Sequence, residues 1–299
     1  MASTLKWAFG FGAAFLFIIV VIVLTSGPAV PFEDCVGIAQ LNGEISYASV
    51  ETGLFSVGPS NVRQLESQLA KADGQTDVKA ILLEIDSPGG SAVPSKELFD
   101  AVAKAKKPVV AYFSEVAASG GYYVGAGADY VVADPNTITG SLGARMELLN
   151  YAELLQKIGV RQESVQSGGM KDIGAPYRNM TDEEKAILQQ IINESFETFR
   201  NDVVASRGTK LNRAKFDNVT DGRLLSARMA LDAGLVDAVG TRDAALKKAG
   251  ELAGISGEPK ECDLPSDQQI DVFGKLGLSI GRGIASMLLK NDGPHLAYS

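Results

Sequence analysis

Apolar residues recur along the middle of the chain with two different spacings. Short apolar runs bounded by glycine and proline are typical of buried strands, whereas apolar positions three or four residues apart, such as Val62, Leu65 and Leu69, are typical of amphipathic helices. The predicted strands are residues 36–45, 78–85, 108–113 and 130–133, and the predicted helices are residues 61–72, 95–105, 225–236 and 242–252, with a loop at 51–60. Strands that alternate with helices of this length indicate parallel βαβ units.

The longest predicted helix begins at Thr181. Glu184 stands three residues later, which is the spacing of a capping box at a helix N-terminus. The apolar positions that follow step by three to five residues: Ile187, Ile191, Phe196, Phe199 and Val203. Such a stripe is typical of a helix that lies on the protein core or on a neighbouring subunit.

The beginning of the chain differs from everything after it. Residues 7–24 carry no charge, and the length of this run just reaches that of a membrane-spanning helix. Lys6 precedes the run and Glu33 follows it, an asymmetry that places the N-terminus in the cytoplasm and the remainder outside. A cleaved signal peptide is the alternative, but the length of the run and the lack of an A-x-A site favour an uncleaved anchor.

Composition narrows the class of protein. A chain of 299 residues with 45% hydrophobic and 21% charged residues can bury a complete α/β core. The net charge of −8 argues against a nucleic-acid partner, because phosphate binding needs a concentrated basic face. No cluster of metal ligands and no G-x-x-x-x-G-K-[ST] loop occurs in the sequence, so we expect no cofactor. The two cysteines, Cys35 and Cys262, either form a disulfide or remain free thiols.

A run of small residues, AASGGYY at 117–123, surrounds Ser119. The run follows a predicted strand and opens a helical stretch, so the hydroxyl would be exposed at a strand-to-helix junction, as a nucleophile requires. Gly120 would let a bound chain approach the backbone closely. The alternative is a tight packing contact between helices.

The predicted strand 78–85 ends in the run DSPGGS at 86–91. Pro88 fixes one φ angle, while Gly89 and Gly90 permit positive φ, so backbone N–H groups can turn outward here. Outward N–H groups are what an oxyanion hole requires, which makes Gly89 and Gly90 candidates. An ordinary strand-to-helix turn fits the same residues.

A serine nucleophile needs a base, and the one histidine, His295, lies in the C-terminal tail. A lysine is therefore the expected base, and Lys171 in the run SGGMKD is the candidate. A lysine accepts a proton only in its neutral form, which burial and hydrogen bonding favour. Ser141 in the run TGSLG would orient that amine. A solvent-exposed lysine and a simple turn are the alternatives.

Taken together, the four runs DSPGGS, AASGGYY, TGSLG and SGGMKD resemble the motifs of the signal peptide peptidase A family, membrane-bound serine peptidases with a Ser-Lys dyad. The resemblance covers residues 36–240, with Ala227 where the family usually has glycine. It implies a nucleophile, a general base, an orienting serine and an oxyanion or substrate-binding loop at, respectively, Ser119, Lys171, Ser141, and Gly89, Gly90 and Gly120.

The resemblance also implies the α/β fold of the Clp protease and crotonase superfamily, an αβα spiral, here with one N-terminal transmembrane helix. Members of the family form dome-shaped homo-oligomers such as octamers, in which neighbouring subunits complete each site. The implied substrates are cleaved signal peptides and other small peptides at the membrane lipid. Val93, Leu98 and Tyr122 are predicted to line an apolar substrate groove.

We therefore expect a membrane anchor at 1–30, a peptidase domain at 31–255 outside the cytoplasm, and a C-terminal extension at 256–299. Residues 270–289 of this extension would form an amphipathic helix on a membrane or partner, although its glycines weaken that prediction. Two other functions stay open. A crotonase-like acyl-thioester enzyme would use the same loop but needs no anchor or Ser-Lys pair, and a non-catalytic membrane scaffold would not use the pair.

Overall fold

The computed structural model describes residues 33–48, 50–53, 56–58 and 61–264. The predicted anchor at 7–24, the predicted helix at 270–289 and His295 lie outside the described residues. The chain divides into two units, Met1–Asp34 and Cys35–Ser299, and the fold below is that of the second unit. In the described residues, no helix is both long enough and apolar enough to cross a membrane.

Strands and helices alternate through most of the second unit, which confirms the predicted mixed α/β fold. In chain order the elements are β1 (Cys35–Asn42), β2 (Val50–Gly53), β3 (Ser56–Gly58), α1 (Asn61–Gly74), β4 (Val78–Ser87), α2 (Ala92–Ala103), β5 (Val109–Ala118), α3 (Gly120–Ala126), β6 (Tyr130–Ala133), β7 (Ile138–Gly140), α4 (Ala152–Lys157), α5 (Asp182–Arg207), a 3-10 turn (Gly208–Lys210), α6 (Arg213–Asp217), β8 (Leu224–Ser226), α7 (Ala227–Ala233), β9 (Ala238–Val239), α8 (Arg242–Leu252) and β10 (Lys260–Asp263).

Most of the strands join one sheet with the order β10-β1-β4-β5-β6-β9, and every neighbouring pair along this path is parallel. The long strand β5 has two further neighbours: its first half pairs with β6, and its last three residues pair with β7. β7 also pairs with β8, in the antiparallel direction. Because β4, β5 and β7 are parallel, their carboxyl ends lie at the same edge of the sheet.

Both faces of the sheet are covered, which explains why its central strand β4 is apolar almost throughout. Side chains of a strand alternate between the two faces. Ile81 and Leu83 join a large core with helices α1, α2, α3, α5 and α7. Leu82, between them, points to the opposite face and packs in a smaller core with Ala245 of α8. Each such buried leucine or isoleucine stabilises the fold by about 1.5–3 kcal/mol.

Helix α5 begins with the predicted capping box. The Thr181 hydroxyl accepts the Glu184 N–H, and the Glu184 carboxylate accepts the Thr181 N–H. The second half of the helix is buried at Phe199 and Val203, which join the large core, whereas its first half is mostly exposed. α5 is therefore anchored at one end and projects at the other.

A disulfide joins Cys35 in β1 to Cys262 in β10. The two strands are parallel neighbours, and Gly37 lies opposite Cys262. The bond links the first and last strands of the described fold covalently. Of the two possibilities that the sequence left open, a disulfide or two free thiols, the structure has the disulfide.

Two predicted elements are wrong. Residues 51–60, predicted as a loop, contain the antiparallel pair of β2 and β3. The predicted helix at 225–236 is instead the strand β8 followed by the shorter helix α7. Its beginning is a strand because Leu225 pairs with Thr139 of β7. The helix ends early because Gly234 adopts a left-handed conformation, a common helix stop.

Candidate active site

The predicted nucleophile lies where β5 ends and α3 begins. β5 was predicted to end at residue 113, but it continues to Ala118 because β7 pairs with its last residues. Ser119 is the single residue between strand and helix, and it is partly exposed. Its side chain makes no hydrogen bond among the described residues. The hydroxyl is thus unpaired at a strand-to-helix junction.

Ser119 has an unusual backbone conformation, with φ 53° and ψ −120°. In the described parts of the chain, Ser119 and Ser141 are the only non-glycine residues with positive φ. Such a conformation costs of order 1–3 kcal/mol and persists only where the surrounding structure enforces it, typically at functional sites. The two strained residues are therefore the serines of two of the motifs, Ser119 in AASGGYY and Ser141 in TGSLG.

The loop after β4 packs directly against Ser119. A Cβ atom on Gly89 would lie 2.6 Å from the amide nitrogen of Gly120 and 2.9 Å from the Cβ of Ser119. A Cβ atom on Gly120 would lie 2.3 Å from the hydroxyl oxygen of Ser95 on α2. No side chain larger than hydrogen fits at either glycine without a shift of its neighbours.

A buried serine holds this loop in place. The Ser87 hydroxyl donates to the carbonyl oxygen of Gly43 at 2.6 Å and accepts the N–H of Gly89 at 3.1 Å. The N–H groups of Gly90 and Gly120 have no acceptor among the described residues, and Gly90 is exposed. Of the two glycines predicted from the loop, Gly90 thus keeps an available donor, whereas the donor of Gly89 is already used.

Backbone bonds fix the chain on both sides of Gly90. The N–H of Ile45 donates to the carbonyl oxygen of Gly89 at 2.9 Å, and the N–H of Ser91 donates to that of Ile45 at 2.9 Å. Ile45 and Gly90 thereby form a parallel bridge that does not use the N–H of Gly90. The donor is held in place while remaining available to another molecule.

The loop after β7 brings Ser141 to the same edge of the sheet. The N–H of Ser119 donates to the carbonyl oxygen of Gly140 at 2.8 Å, which ties Ser119 to the residue before Ser141. The N–H of Ser141 in turn donates to the carbonyl oxygen of Arg223 at 2.8 Å. The structure therefore gathers Ser119, Ser141 and the loop of Gly90 at one place.

The structure does not bring Lys171 to these residues. Lys171 lies in an exposed turn within residues 144–180, a segment that we call the arm. Among the described residues, the hydrogen bonds and ion pairs of the arm are internal or reach the first turn of α5. None of them joins the Lys171 side chain to Ser119 or Ser141. Within one chain, no hydrogen bond or ion pair of the described residues therefore pairs Ser119 with its predicted base.

The arm exposes many large apolar side chains. They are Met146, Leu148, Leu149, Leu154, Ile158, Val160, Val165 and Met170. On the projecting half of α5, Ile187 and Ile191 are exposed as well. Exposed apolar surface of this extent is typical of a site of protein or membrane contact.

Two residues that shape the site could not be recognised from the sequence. Ser87 belongs to a run that predicts only a turn, and its one sequence signal is a small polar residue before Pro-Gly-Gly. Arg178 binds both Asp172, next to Lys171, and Glu184 at the start of α5. This guanidinium holds the pKa of Asp172 well below its usual range and lowers that of Glu184 to about 2. Arg178 lies outside the hydrophobic patterns and the motifs, so no signal in the sequence points to it.

Two of the three residues predicted to line a substrate groove lie elsewhere. Leu98 and Tyr122 are fully buried in the large core, because α2 and α3 turn these side chains towards the sheet. The Tyr122 hydroxyl donates to the carbonyl oxygen of Leu235, and burial raises its pKa. Val93, in contrast, is 63% exposed.

Known proteins resemble the chain over most of its length. Residues 101–256, about half of the chain, match the model of peptidase family S49, and residues 56–139 match that of Clp protease. The provisionally named protease MJ0651 of Methanocaldococcus jannaschii is 38% identical over 242 residues, 79% of this chain and 76% of that protein. The provisionally named signal peptide peptidase SppA of Enterococcus faecium is 37% identical over 210 residues, 69% of this chain and 60% of that protein.

A solved structure shares the fold. It is described as the 1510-N membrane-bound stomatin-specific protease, in a lysine-to-alanine mutant in complex with a substrate peptide. Its TM-score is 0.50 at 18% identity, over 82% of this chain and 98% of that one, so the likeness concerns the fold alone. The family match and the named relatives together show that the chain belongs to the signal peptide peptidase A family of S49 serine peptidases.

Proposed function

We propose that the chain is a serine endopeptidase in which Ser119 is the nucleophile and Lys171 the general base. The observation that carries the proposal is the positive φ of Ser119 between a strand and a helix, with its hydroxyl unpaired. A strained serine at such a junction is how many hydrolases present a nucleophile. The role of Lys171 is supported by the resemblance of its motif to that of the family.

The proposed reaction passes through an acyl-enzyme. The neutral amine of Lys171, oriented by Ser141, accepts the proton of the Ser119 hydroxyl as Oγ attacks the scissile carbonyl carbon. The N–H groups of Gly90 and Gly120 donate to the oxyanion, each stabilising it by about 3 kcal/mol. The C–N bond then breaks, and Lys171 returns the proton to the leaving amine. Water, deprotonated by the same amine, then attacks the ester carbonyl carbon. The C–O bond to Ser119 breaks, and Lys171 returns the proton to Oγ.

A homo-oligomer would complete the site. Within one chain Lys171 is exposed and makes no hydrogen bond to Ser119, so the arm of a neighbouring chain would bring the amine to the sheet edge. Burial of exposed arm residues such as Leu149 and Val165 would stabilise that assembly. The resemblance suggests a dome-shaped arrangement such as an octamer.

The proposed substrates are cleaved signal peptides and other small peptides, as the name of the Enterococcus relative suggests. Such peptides lie at the membrane lipid, so the enzyme would be anchored in the cell membrane with its catalytic domain outside the cytoplasm. The disulfide between Cys35 and Cys262 supports this location, because disulfides persist in oxidising compartments.

The test is hydrolysis of a synthetic signal peptide and of casein by the purified full-length protein, beside Ser119→Ala and Lys171→Ala. Circular dichroism checks that each variant is folded. We expect both variants to lose activity by about 10³-fold or more, because either change removes the activated nucleophile. A fluorophosphonate should label the wild type and leave Ser119→Ala unlabelled.

Near wild-type activity in Lys171→Ala would show that the base is another residue. A wild type that neither cleaves peptides nor reacts with the fluorophosphonate would favour the acyl-thioester enzyme or the scaffold. Sedimentation measures the assembly: a fully active monomer would contradict the proposed oligomer.

A further inference from the structure

The backbone hydrogen bonds of the turn that carries Lys171 are all short-range bonds within the turn. The N–H of Lys171 donates to the carbonyl oxygen of Gly168 at 3.0 Å, and the N–H of Ala175 donates to that of Asp172 at 2.9 Å. Gly168 and Gly169 have open space where a side chain would stand. Paired glycines widen the range of backbone conformations, so this turn needs outside contacts to hold one position.

Arg178 supplies such contacts through the residue next to Lys171. Its Nε donates to Oδ2 of Asp172 at 2.9 Å, and its Nη2 donates to Oδ1 at 2.6 Å and to the backbone carbonyl oxygen of Asp172 at 3.2 Å. Two parallel bonds between a guanidinium and a carboxylate fix orientation as well as distance. Gln166 and Tyr177 donate to the same carboxylate at 3.2 and 3.4 Å.

The other side of the guanidinium binds the start of α5. Nη1 donates to Oε2 of Glu184 at 2.9 Å, and Nη2 donates to Oε1. The Glu184 side chain is only 3% exposed, and it also accepts the N–H of Thr181 at 2.8 Å in the capping box. α5 is anchored in the large core by Phe199 and Val203. A continuous series of contacts thus runs from the core to the turn of Lys171.

We propose that Arg178 is a positioning residue for catalysis, which places the Lys171 amine by fixing Asp172 to the first turn of α5. The inference rests on the proposed role of Lys171 as the base. Arg178 acts through Lys171 and not on the substrate, so its loss lowers kcat and leaves KM nearly unchanged. Displacing a catalytic group by about 1 Å costs up to about 100-fold in rate, and we expect a loss of about 10- to 100-fold in kcat for Arg178→Ala.

The experiment measures kcat and KM of peptide hydrolysis for full-length wild type, Arg178→Ala and Arg242→Ala. Arg242 is a matched control, because its guanidinium also binds two carboxylates, those of Glu84 at 2.6 Å and Glu261 at 2.7 Å. It joins α8 to strands β4 and β10 and not to the arm. We expect Arg242→Ala to be less stable than the wild type but to keep its kcat within about twofold.

Chemical rescue gives a readout that a merely structural role would not move. Guanidinium ion at millimolar concentration should restore part of the kcat of Arg178→Ala, since the space between Asp172 and Glu184 fits that cation. The same concentration of guanidinium ion should leave the kcat of Arg242→Ala unchanged. If Arg178→Ala does not fold, Asp172→Asn weakens the same contact and should lower kcat in the same direction by a smaller factor.

Lys171→Ala separates this inference from the proposed function. An inactive Lys171→Ala beside an Arg178→Ala with wild-type kcat would overturn the positioning role and leave the dyad standing. An active Lys171→Ala would overturn both the dyad and the positioning role. Any fall in the kcat of Arg178→Ala would then have a cause other than the position of Lys171. Equal kcat losses in Arg178→Ala and Arg242→Ala, without rescue, would assign the effect to general destabilisation and refute the inference.

Discussion

Replacing Ser87 by alanine removes one oxygen atom from beneath the loop that carries Gly90. The hydroxyl is fully buried, donates to the carbonyl oxygen of Gly43 and accepts the N–H of Gly89. Alanine fits the same space, so the change deletes two hydrogen bonds without adding volume. The N–H of Gly89 is left buried without an acceptor, and the loop loses the bond that sets its direction.

The expected effects follow from these two bonds. A hydrogen bond contributes about 1 kcal/mol net, and a buried donor left without a partner costs about 1–3 kcal/mol. We therefore expect Ser87→Ala to lower the free energy of unfolding by about 2–4 kcal/mol. Removing an oxyanion donor costs about 10²–10³ in kcat. Because Gly90 would be displaced and not removed, we expect kcat to fall by about 10- to 100-fold with little change in KM.

Urea unfolding measures the first effect, and steady-state hydrolysis of a signal peptide measures the second. Thr137→Val is the matched control. The Thr137 hydroxyl is also buried and donates to the carbonyl oxygens of Phe113 and Ser114, but it binds no residue of the Gly90 loop. The control should lose comparable stability and keep the kcat of the wild type.

A peptide aldehyde provides a further measurement, because its adduct with the serine carries the oxyanion. Its affinity for Ser87→Ala should fall by about the same factor as kcat, whereas the affinity of an unreactive peptide should not. If Ser87→Ala is destabilised but turns over like the wild type, Ser87 does not position the loop. Gly90 would then lose its support as an oxyanion donor.

Two further predictions concern stability. Cys262→Ser opens a disulfide that spans 227 residues, for which chain entropy gives an upper value of about 5 kcal/mol. Urea unfolding should show that the free energy of unfolding falls by about 3–5 kcal/mol. A fall below about 1 kcal/mol would contradict the entropic argument. Arg178 lowers the pKa of Glu184 from 4.5 to about 2, so this carboxylate stabilises the fold above the higher value and loses that effect as pH falls towards the lower one. Arg178→Gln should therefore flatten the acid side of the stability profile between about pH 5 and 2, and an unchanged slope would show that another group is responsible.

The elements that the sequence predicted well are those whose signal is local. The apolar run of β4 and the capping box of α5 need no distant partner to be recognised. The end of β5 and the strand β8 could not be predicted in this way, because they exist through β7. Leu225 is a strand residue only since Thr139, far away in the sequence, pairs with it.

The same distinction between local and distant signals applies to the residues of the site. Ser119 was predictable because small residues at a strand-to-helix junction are a local pattern, and the structure places it there. Which of Gly89 and Gly90 keeps a free N–H donor could not be predicted, because it depends on which N–H the Ser87 hydroxyl accepts. Lys171 was a candidate because the one histidine lies in the C-terminal tail, and the resemblance of its motif strengthened that prediction. The exposed position of Lys171 in the arm could not be predicted, because no hydrophobic periodicity describes the arm.

The backbone strain at Ser119 and Ser141 also bears on how this sequence can change over generations. Glycine adopts positive φ without the strain that a serine has there, so at either position it would make the fold more stable while removing a hydroxyl that the proposed reaction uses. Selection for stability alone would therefore erode the site, and only selection for activity opposes that drift. In a lineage that no longer needs the enzyme, Ser119 should be replaced sooner than a buried serine such as Ser87, which the fold itself requires.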